Sequence, residues 1–238
     1  MLTKPTNKVG RQLDLANLHQ KTFKEIEYLQ TYIEHISDSI EIRNKDIQEL
    51  MRAEISKRPE EESVIIDMYE GYVRKVISHF YHSAIVLIYT TLESNLSNIC
   101  LQIESQTSSK LQLGHIKDNN ISNKSMIYLS ITCDINTHEF KYETDRIKNF
   151  QKLRNAIVHQ GSTFKNEKER VSITTMFPQI ETDEHNFYIS SNELLDEFIK
   201  CIKYYFKILF IELMSKEFLV KKADDSYLES DIEDELPF

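Results

Sequence analysis

An arginine, an asparagine and a histidine lie within six residues of one another, where a helical pattern ends. They are Arg154, Asn155 and His159, and Gly161, one of only four glycines in the 238-residue chain, follows them. An arginine guanidinium is a permanent cation whose donors suit a phosphate, and a histidine can act as a general acid or base. Asn155 can orient the imidazole. This set suits metal-free RNA cleavage, in which the ribose 2′-hydroxyl attacks the adjacent phosphate, histidine moves a proton and arginine stabilises the transition state.

Helical geometry separates the two charged members of this set. Successive helical residues turn by about 100°, so Asn155 and His159 share a face, whereas Arg154 and His159 lie about 140° apart. One isolated helix therefore does not aim both at one small ligand. Two copies packed around a two-fold axis can do so, and so can distortion at the Gly161 end. The alternative is that both residues are solvated or capping groups, because a single Arg-x4-His pair often arises by chance.

The elements around this motif are predicted to be mainly helical. Four glycines and four prolines are few for a β-rich fold, which needs many turn residues. Apolar residues recur with a helical period in five segments, at about 13–57, 60–105, 125–135, 144–159 and 192–220. The third segment also suits a strand. Gly161 suits the left-handed position that follows a helix end.

The predicted fold class is mainly all-α, with a long N-terminal helix and a small β-hairpin insertion. The stretches 171–175 and 186–189 alternate well enough for that hairpin, and 165–170 is predicted to be a solvated loop. Three regions follow: an N-terminal helical extension (1–58), a helical domain (59–222) and an acidic, disordered tail (223–238). The heptad-like first helix either packs along the bundle or forms a coiled-coil arm for a partner.

Charge is distributed unevenly along the chain. The formal net charge of −9 argues against a general nucleic-acid binder. Residues 141–170, however, carry eight basic and four acidic side chains, a local balance of +4 around the motif. A polyanion is expected to arrive there, and the candidate RNA-binding residues are Lys148, Lys152, Lys165 and Arg170.

Other classes of site find little support in the sequence. Three scattered cysteines fit a reducing, cytoplasmic setting. The densest apolar run, 204–214, falls short of the roughly 20 residues of a membrane-spanning helix, so no membrane partner is expected. His79 and His82 lack a further metal ligand nearby in the sequence and are predicted to be structural. We expect no metal and no cofactor.

The stretch Leu153 to Gly161 resembles the Arg-(polar)-x3-His signature of HEPN domains. This all-helical superfamily includes many metal-independent ribonucleases of prokaryotic toxins, abortive-infection proteins and CRISPR effectors. Residues 81–96 are similar to the long early helix of such domains, and the final apolar helix matches in position. The resemblance covers about residues 63–220.

The resemblance implies a homodimer with a composite catalytic site. Arg154 and His159 would act across the dimer with Asn155 in support, and Glu93 would pair with one of them, unless it is merely a surface acid. The implied function is an endoribonuclease of a toxin or anti-phage defence system, with RNA as substrate and an antitoxin or defence protein as partner. The alternative is a non-catalytic dimerisation or interaction module. Some family toxins carry a tyrosine, modified by an antitoxin, where this chain has Gly161, so that mode of neutralisation is not expected.

Overall fold

A computed structural model describes residues 14–106 and 110–216. The predicted tail, 223–238, lies outside these residues. The described part is mainly all-α, as predicted, with one two-stranded antiparallel ribbon. Its helices and strands are α1 (Leu15–Lys57), α2 (Glu62–Gln106), α3 (Ile121–Cys133), α4 (Lys141–Gln160), α5 (Glu167–Met176), β1 (Glu181–Thr182), β2 (Phe187–Tyr188) and α6 (Glu193–Met214).

The first two helices form a long hairpin around a proline. Pro59 begins a short 3-10 turn, Pro59–Glu61, between α1 and α2, where its fixed φ and missing N–H are tolerated. Helix α1 packs against both α2 and α6. Its apolar positions share one core with theirs, so α1 packs along the bundle, in agreement with the first interpretation of its heptads; they are Leu15, Leu18, Ile26, Leu29, Ile33 and Ile40.

Helix α4 carries the Arg–Asn–His motif and packs on α2 and α6. Its buried stripe is Ile147, Phe150, Leu153 and Ala156. The ring of Phe150 stacks on that of Phe198 from α6, with centroids 3.9 Å apart. These contacts fix the rotation of α4 about its axis, and therefore decide which motif residues face the protein and which face solvent.

The segment after the motif helix differs from the prediction. Most of the predicted loop (165–170) and all of the predicted strand (171–175) lie in helix α5 (Glu167–Met176), whose N-terminus is capped by Asn166 accepting from the Glu169 N–H at 3.0 Å. This cap and the acidic first turn outweigh a short alternation of apolar residues. The second predicted strand is correct, but it pairs with Glu181–Thr182.

Helix α2 is apolar on more than one side. The stretch Pro59–Ser105 is long and apolar enough to cross a membrane by length and composition, but half of its most apolar window is buried inside the protein. Core helices of soluble proteins pass the same test. Tyr89, which is on the buried side of α2, lies near Arg154 of α4.

Candidate functional site

Arg154 projects from α4 towards α2. Its guanidinium carbon lies 5.9 Å from the centroid of the Tyr89 ring, within the range of a cation–π contact. Its Nη1 donates to the Asn155 side-chain oxygen at 3.1 Å, so Asn155 holds the guanidinium. The Nε–H of Arg154 is buried and has no hydrogen-bond partner among the described residues. A buried donor without a partner is costly, so Arg154 keeps hydrogen-bonding capacity that the described residues do not use.

Glu93 lies one turn beyond Tyr89 on α2, close to Arg154. Burial raises the pKa of Glu93, while the charge of Arg154 lowers it. No ion pair within 4.0 Å joins the two side chains in the described structure. Burial also raises the pKa of the Tyr89 hydroxyl far above its usual range, and Glu93 acts in the same direction. Glu93 and Arg154 therefore interact electrostatically without direct contact.

His159 lies apart from this cluster. Its side chain is exposed, and it forms no hydrogen bond or ion pair with any residue in the described ranges. This placement agrees with the helical-wheel argument, since Arg154 faces α2 while His159 faces solvent. One chain brings together Arg154, Asn155, Tyr89 and Glu93, but it does not bring His159 to them.

The predicted RNA-binding residues are of two kinds. Lys148 lies 3.1 Å from an Asp145 oxygen, and Arg170 forms two hydrogen bonds with Glu167, of 2.6 and 2.7 Å. Lys152 and Lys165 are exposed and have no ion pair within the part of the chain that the structure describes. Two of the four candidate RNA-binding side chains, Lys148 and Arg170, are therefore paired with neighbouring carboxylates, and Lys152 is the unpaired candidate on α4.

The C-terminal end of α4 turns sharply beside α2. Gly161 has φ +60°, as predicted for a left-handed cap, and Ser162 also has positive φ, +67°. The Gly161 N–H donates to Ile157 O at 3.1 Å and the Ser162 N–H donates to Ala156 O at 3.3 Å. A left-handed serine is uncommon, so something must hold it in this conformation.

A buried histidine holds Ser162. His82 is 5% exposed; its Nδ1 lies 2.9 Å from Ser162 Oγ, and its Nε2 lies 3.1 Å from Ser78 Oγ. Ser78 Oγ also accepts the Ile189 N–H at 3.0 Å. Burial lowers the pKa of His82 to about 4, so the imidazole is neutral at pH 7. Ser78 and His82, four residues apart, were detectable in the sequence, but Ser162 comes from 80 residues away.

A groove of about 500 Å³ opens between α2 and the end of α4. His79, Ser83 and Val86 line it from α2, and Ile157, Gly161 and Ser162 line it from the other side, with His82 also contributing. Its volume lies in the usual range of small-molecule sites. Sequence reasoning did not find this groove, because it depends on how α2 and α4 pair.

Cysteine nucleophiles and bound metal ions are two other sources of catalytic chemistry in proteins. The thiols of Cys100, Cys133 and Cys201 have pKa values raised by burial, to about 12, 11 and 12, so they are poor nucleophiles at neutral pH. Within the described residues, no group of three His, Cys, Asp or Glu side chains could hold a metal ion.

Comparison of the chain with protein-family models, with curated proteins and with solved structures finds no match.

Proposed function

We propose that this protein is a metal-independent endoribonuclease of the HEPN type, acting as a homodimer in a prokaryotic toxin or anti-phage defence system. The observation that carries the proposal is the division of the motif between two faces of α4. Arg154 is held in the seam between α2 and α4, where its Nε–H has no hydrogen-bond partner among the described residues, and His159 is exposed and makes no hydrogen bond or ion pair with any of them. Each chain thus offers half of a phosphate-cleaving site.

The chemistry of the combined site follows from these two side chains. The ribose 2′-hydroxyl attacks phosphorus, and the bond from phosphorus to the 5′-oxygen breaks. His159 of the partner subunit takes the proton from the 2′-hydroxyl or gives one to the leaving oxygen. Arg154 stabilises the added negative charge on the phosphate oxygens. The products are a 2′,3′-cyclic phosphate and a 5′-hydroxyl end.

Asn155 and Glu93 act through Arg154. The hydrogen bond from Arg154 to Asn155 restricts the guanidinium, and the nearby Glu93 carboxylate keeps it on the α2 side of the seam. Because Glu93 forms no direct ion pair with it, the guanidinium donors of Arg154 that are not bonded to Asn155 are left for the substrate. Both residues are positioning residues in this scheme.

Cleavage of RNA in the presence of a chelator tests the proposal. We expect wild-type protein to cut single-stranded RNA with EDTA present, and Arg154→Ala and His159→Ala to lose at least a hundredfold in rate, the size typical for loss of such groups. Arg52→Ala and His35→Ala are matched controls on exposed positions of α1 and should cut like wild type. Equal cleavage by all five proteins would place any nuclease activity elsewhere.

Mixing the two inactive variants tests the composite site directly. After exchange of subunits, half of the dimers contain one chain of each kind, and each such dimer has one site with both Arg154 and His159 intact. We therefore expect about a quarter of wild-type activity from an equal mixture, by the statistics of a two-fold dimer. If Arg154 and His159 act within one chain, the mixture stays inactive.

A non-catalytic interaction module is the second candidate. It is favoured by large apolar side chains that α2 exposes at helical spacing, with exposed fractions of 58% for Met68, 56% for Tyr72 and 48% for Phe80; such a stripe suits a protein partner. Expression in a bacterial host separates the candidates. Growth inhibition relieved by His159→Ala supports the nuclease, whereas a phenotype indifferent to that change supports the module.

A further inference from the structure

Ser78, His82 and Ser162 are linked by hydrogen bonds, and the donor and acceptor in each bond can be assigned. Ser78 is 2% exposed, so its hydroxyl hydrogen needs an acceptor. Its oxygen accepts from Ile189, and the acceptor found for its hydrogen among the described residues is His82 Nε2, 3.1 Å away. A neutral imidazole has one N–H and one acceptor nitrogen. The proton of His82 therefore lies on Nδ1, which donates to Ser162 Oγ at 2.9 Å.

With these donors and acceptors assigned, the Ser162 hydroxyl is a hydrogen-bond donor in the groove. Ser162 Oγ accepts from His82 Nδ1, and its only other contact among the described residues is a long one of 3.5 Å to His82 Nε2, the nitrogen that already accepts from Ser78, so its hydrogen is free for a better acceptor. Ser162 lines the groove. The Ser83 hydroxyl has the opposite role, that of an acceptor. Its hydrogen is donated to the His79 backbone oxygen at 2.9 Å, so only its lone pairs are left for a ligand. The groove thus offers a donor and an acceptor.

The remaining walls favour a flat, neutral ligand. Val86 and Ile157 are apolar, and His79 provides an imidazole ring. Among the described residues, no lysine, arginine or carboxylate lines the groove, so these residues offer a phosphate no counter-charge there. A flat heterocycle with a donor and an acceptor on its edge fits the two hydroxyls and the apolar walls. Nucleobases have these properties.

The position of the groove connects it with Arg154. On α2, Val86 in the groove and Glu93 near Arg154 are seven residues apart, which is roughly 10 Å along a helix. On α4, Ile157 in the groove lies one turn from Arg154. An RNA strand with a phosphate at Arg154 therefore has a neighbouring base within reach of the groove.

We propose that the groove between α2 and the end of α4 binds one nucleobase of an RNA strand, next to the phosphate held by Arg154. This inference rests on the proposed function, since it takes RNA as the ligand of the adjacent site. Ser162 and Ser83 contact the edge of the base, and Val86 and Ile157 contact its face.

Binding of an uncleavable RNA tests the inference. The probe is a fluorescein-labelled single-stranded RNA carrying 2′-O-methyl groups, prepared with an abasic residue at each position in turn, and Kd is measured by fluorescence anisotropy. Val86→Phe fills the groove, and Leu87→Phe is its matched control on the adjacent, exposed position. Circular dichroism confirms that each variant is folded. Ser162→Ala removes the donor without filling the groove.

One abasic position should raise Kd by about tenfold for wild type and for Leu87→Phe, the usual size of a base contact. Val86→Phe should show no such position, and Ser162→Ala a smaller effect there. If Kd changes at each abasic position in the same way for Val86→Phe and Leu87→Phe, the groove is not a base site. Cleavage in EDTA that needs Arg154 and His159 would still support the nuclease. If the base effect is lost only in Val86→Phe but no RNA is cut, the groove binds a base and the proposed catalysis is wrong. Absence of RNA binding overturns both.

Discussion

Acidification should destabilise this protein through His82 well before most carboxylates are protonated. Burial lowers the pKa of His82 from its ordinary 6.5 to about 4, and the neighbouring His79 acts in the same direction. The unfolded chain therefore binds a proton near pH 6.5, whereas the folded protein resists it until about pH 4. The stability from neutral His82 is fully present above pH 6.5 and is lost as pH falls through this window.

The magnitude follows from the difference between these two pKa values. It corresponds to roughly 3 kcal/mol of unfolding free energy, at about 1.4 kcal/mol for each pH unit. His82 is only 5% exposed, so water screens this effect little. Burial lowers the free energy of the neutral ring relative to the charged one, and the two serine contacts are already satisfied by the neutral form.

Urea unfolding of three proteins at pH 7 and pH 4.5 measures the effect. His82→Gln removes the titrating group, and His35→Gln is the matched control on an exposed position of α1. We expect the stability advantage of wild type over His82→Gln to be about 2 kcal/mol smaller at pH 4.5 than at pH 7. Asp183, whose pKa is held far below its usual range by hydrogen bonds from Tyr188 and Asn186 despite its partial desolvation, titrates below this window and is common to all three proteins.

A constant difference between wild type and His82→Gln at both pH values would refute the reasoning. It would mean that protonation of His82 at pH 4.5 costs no more free energy in the folded protein than in the unfolded chain. The hydrogen bond between Ser78 and His82 would then be reversed at pH 4.5, because a charged imidazole donates from both nitrogens.

Five further substitutions have expected outcomes in the same unfolding assay. Gly161→Ala should cost about 1 kcal/mol, since φ is +60° there although a Cβ meets nothing within 4 Å; Gly71→Ala inside α2, equally open, should instead stabilise by about 0.5 to 1 kcal/mol. Arg146→Ala should cost about 3 kcal/mol, because this half-buried guanidinium pairs with Glu197 and lies 4.7 Å from the centroid of the Phe177 ring; Lys148→Ala, which breaks an exposed pair, should cost less than about 0.5 kcal/mol. Asn166→Ala should cost about 1 kcal/mol by removing the cap of α5. Equal changes in unfolding free energy for Gly161→Ala and Gly71→Ala would contradict the argument about φ. Equal losses for Arg146→Ala and Lys148→Ala would contradict the argument about burial, and no loss from Asn166→Ala would contradict the argument about the cap.

Long helices could be predicted from this sequence because their periodicity repeats over many turns. Helices α1, α2, α4 and α6 span 20 to 45 residues, so local errors average out. Helix α5 has only ten residues and one buried position, Ile173. A window this short cannot separate a period of two from one of 3.6, so the alternating residues 171–175 wrongly predict a strand. The capping residue Asn166 was the better signal.

The candidate site could be predicted only in part, for a related reason. The separation of Arg154 from His159 follows from one helix alone, because it depends on the turn per residue. The approach of Tyr89 and Glu93 to Arg154 depends on the register between α2 and α4, which no local pattern contains. The contact between His82 and Ser162 spans 80 residues and needs the same register.

The proposed dimer and its substrate are coupled by the placement of the motif. A second copy that supplies His159 to Arg154 must approach the end of α4, where Val158 is 46% exposed beside His159 and gives the apolar contact. Lys152 lies seven residues before His159 on the same face, so the two copies also bring like charges close to their contact. A phosphate bound between them neutralises that charge. RNA and dimerisation should therefore favour each other, and a chain without a second copy should bind RNA more weakly as well as fail to cut it.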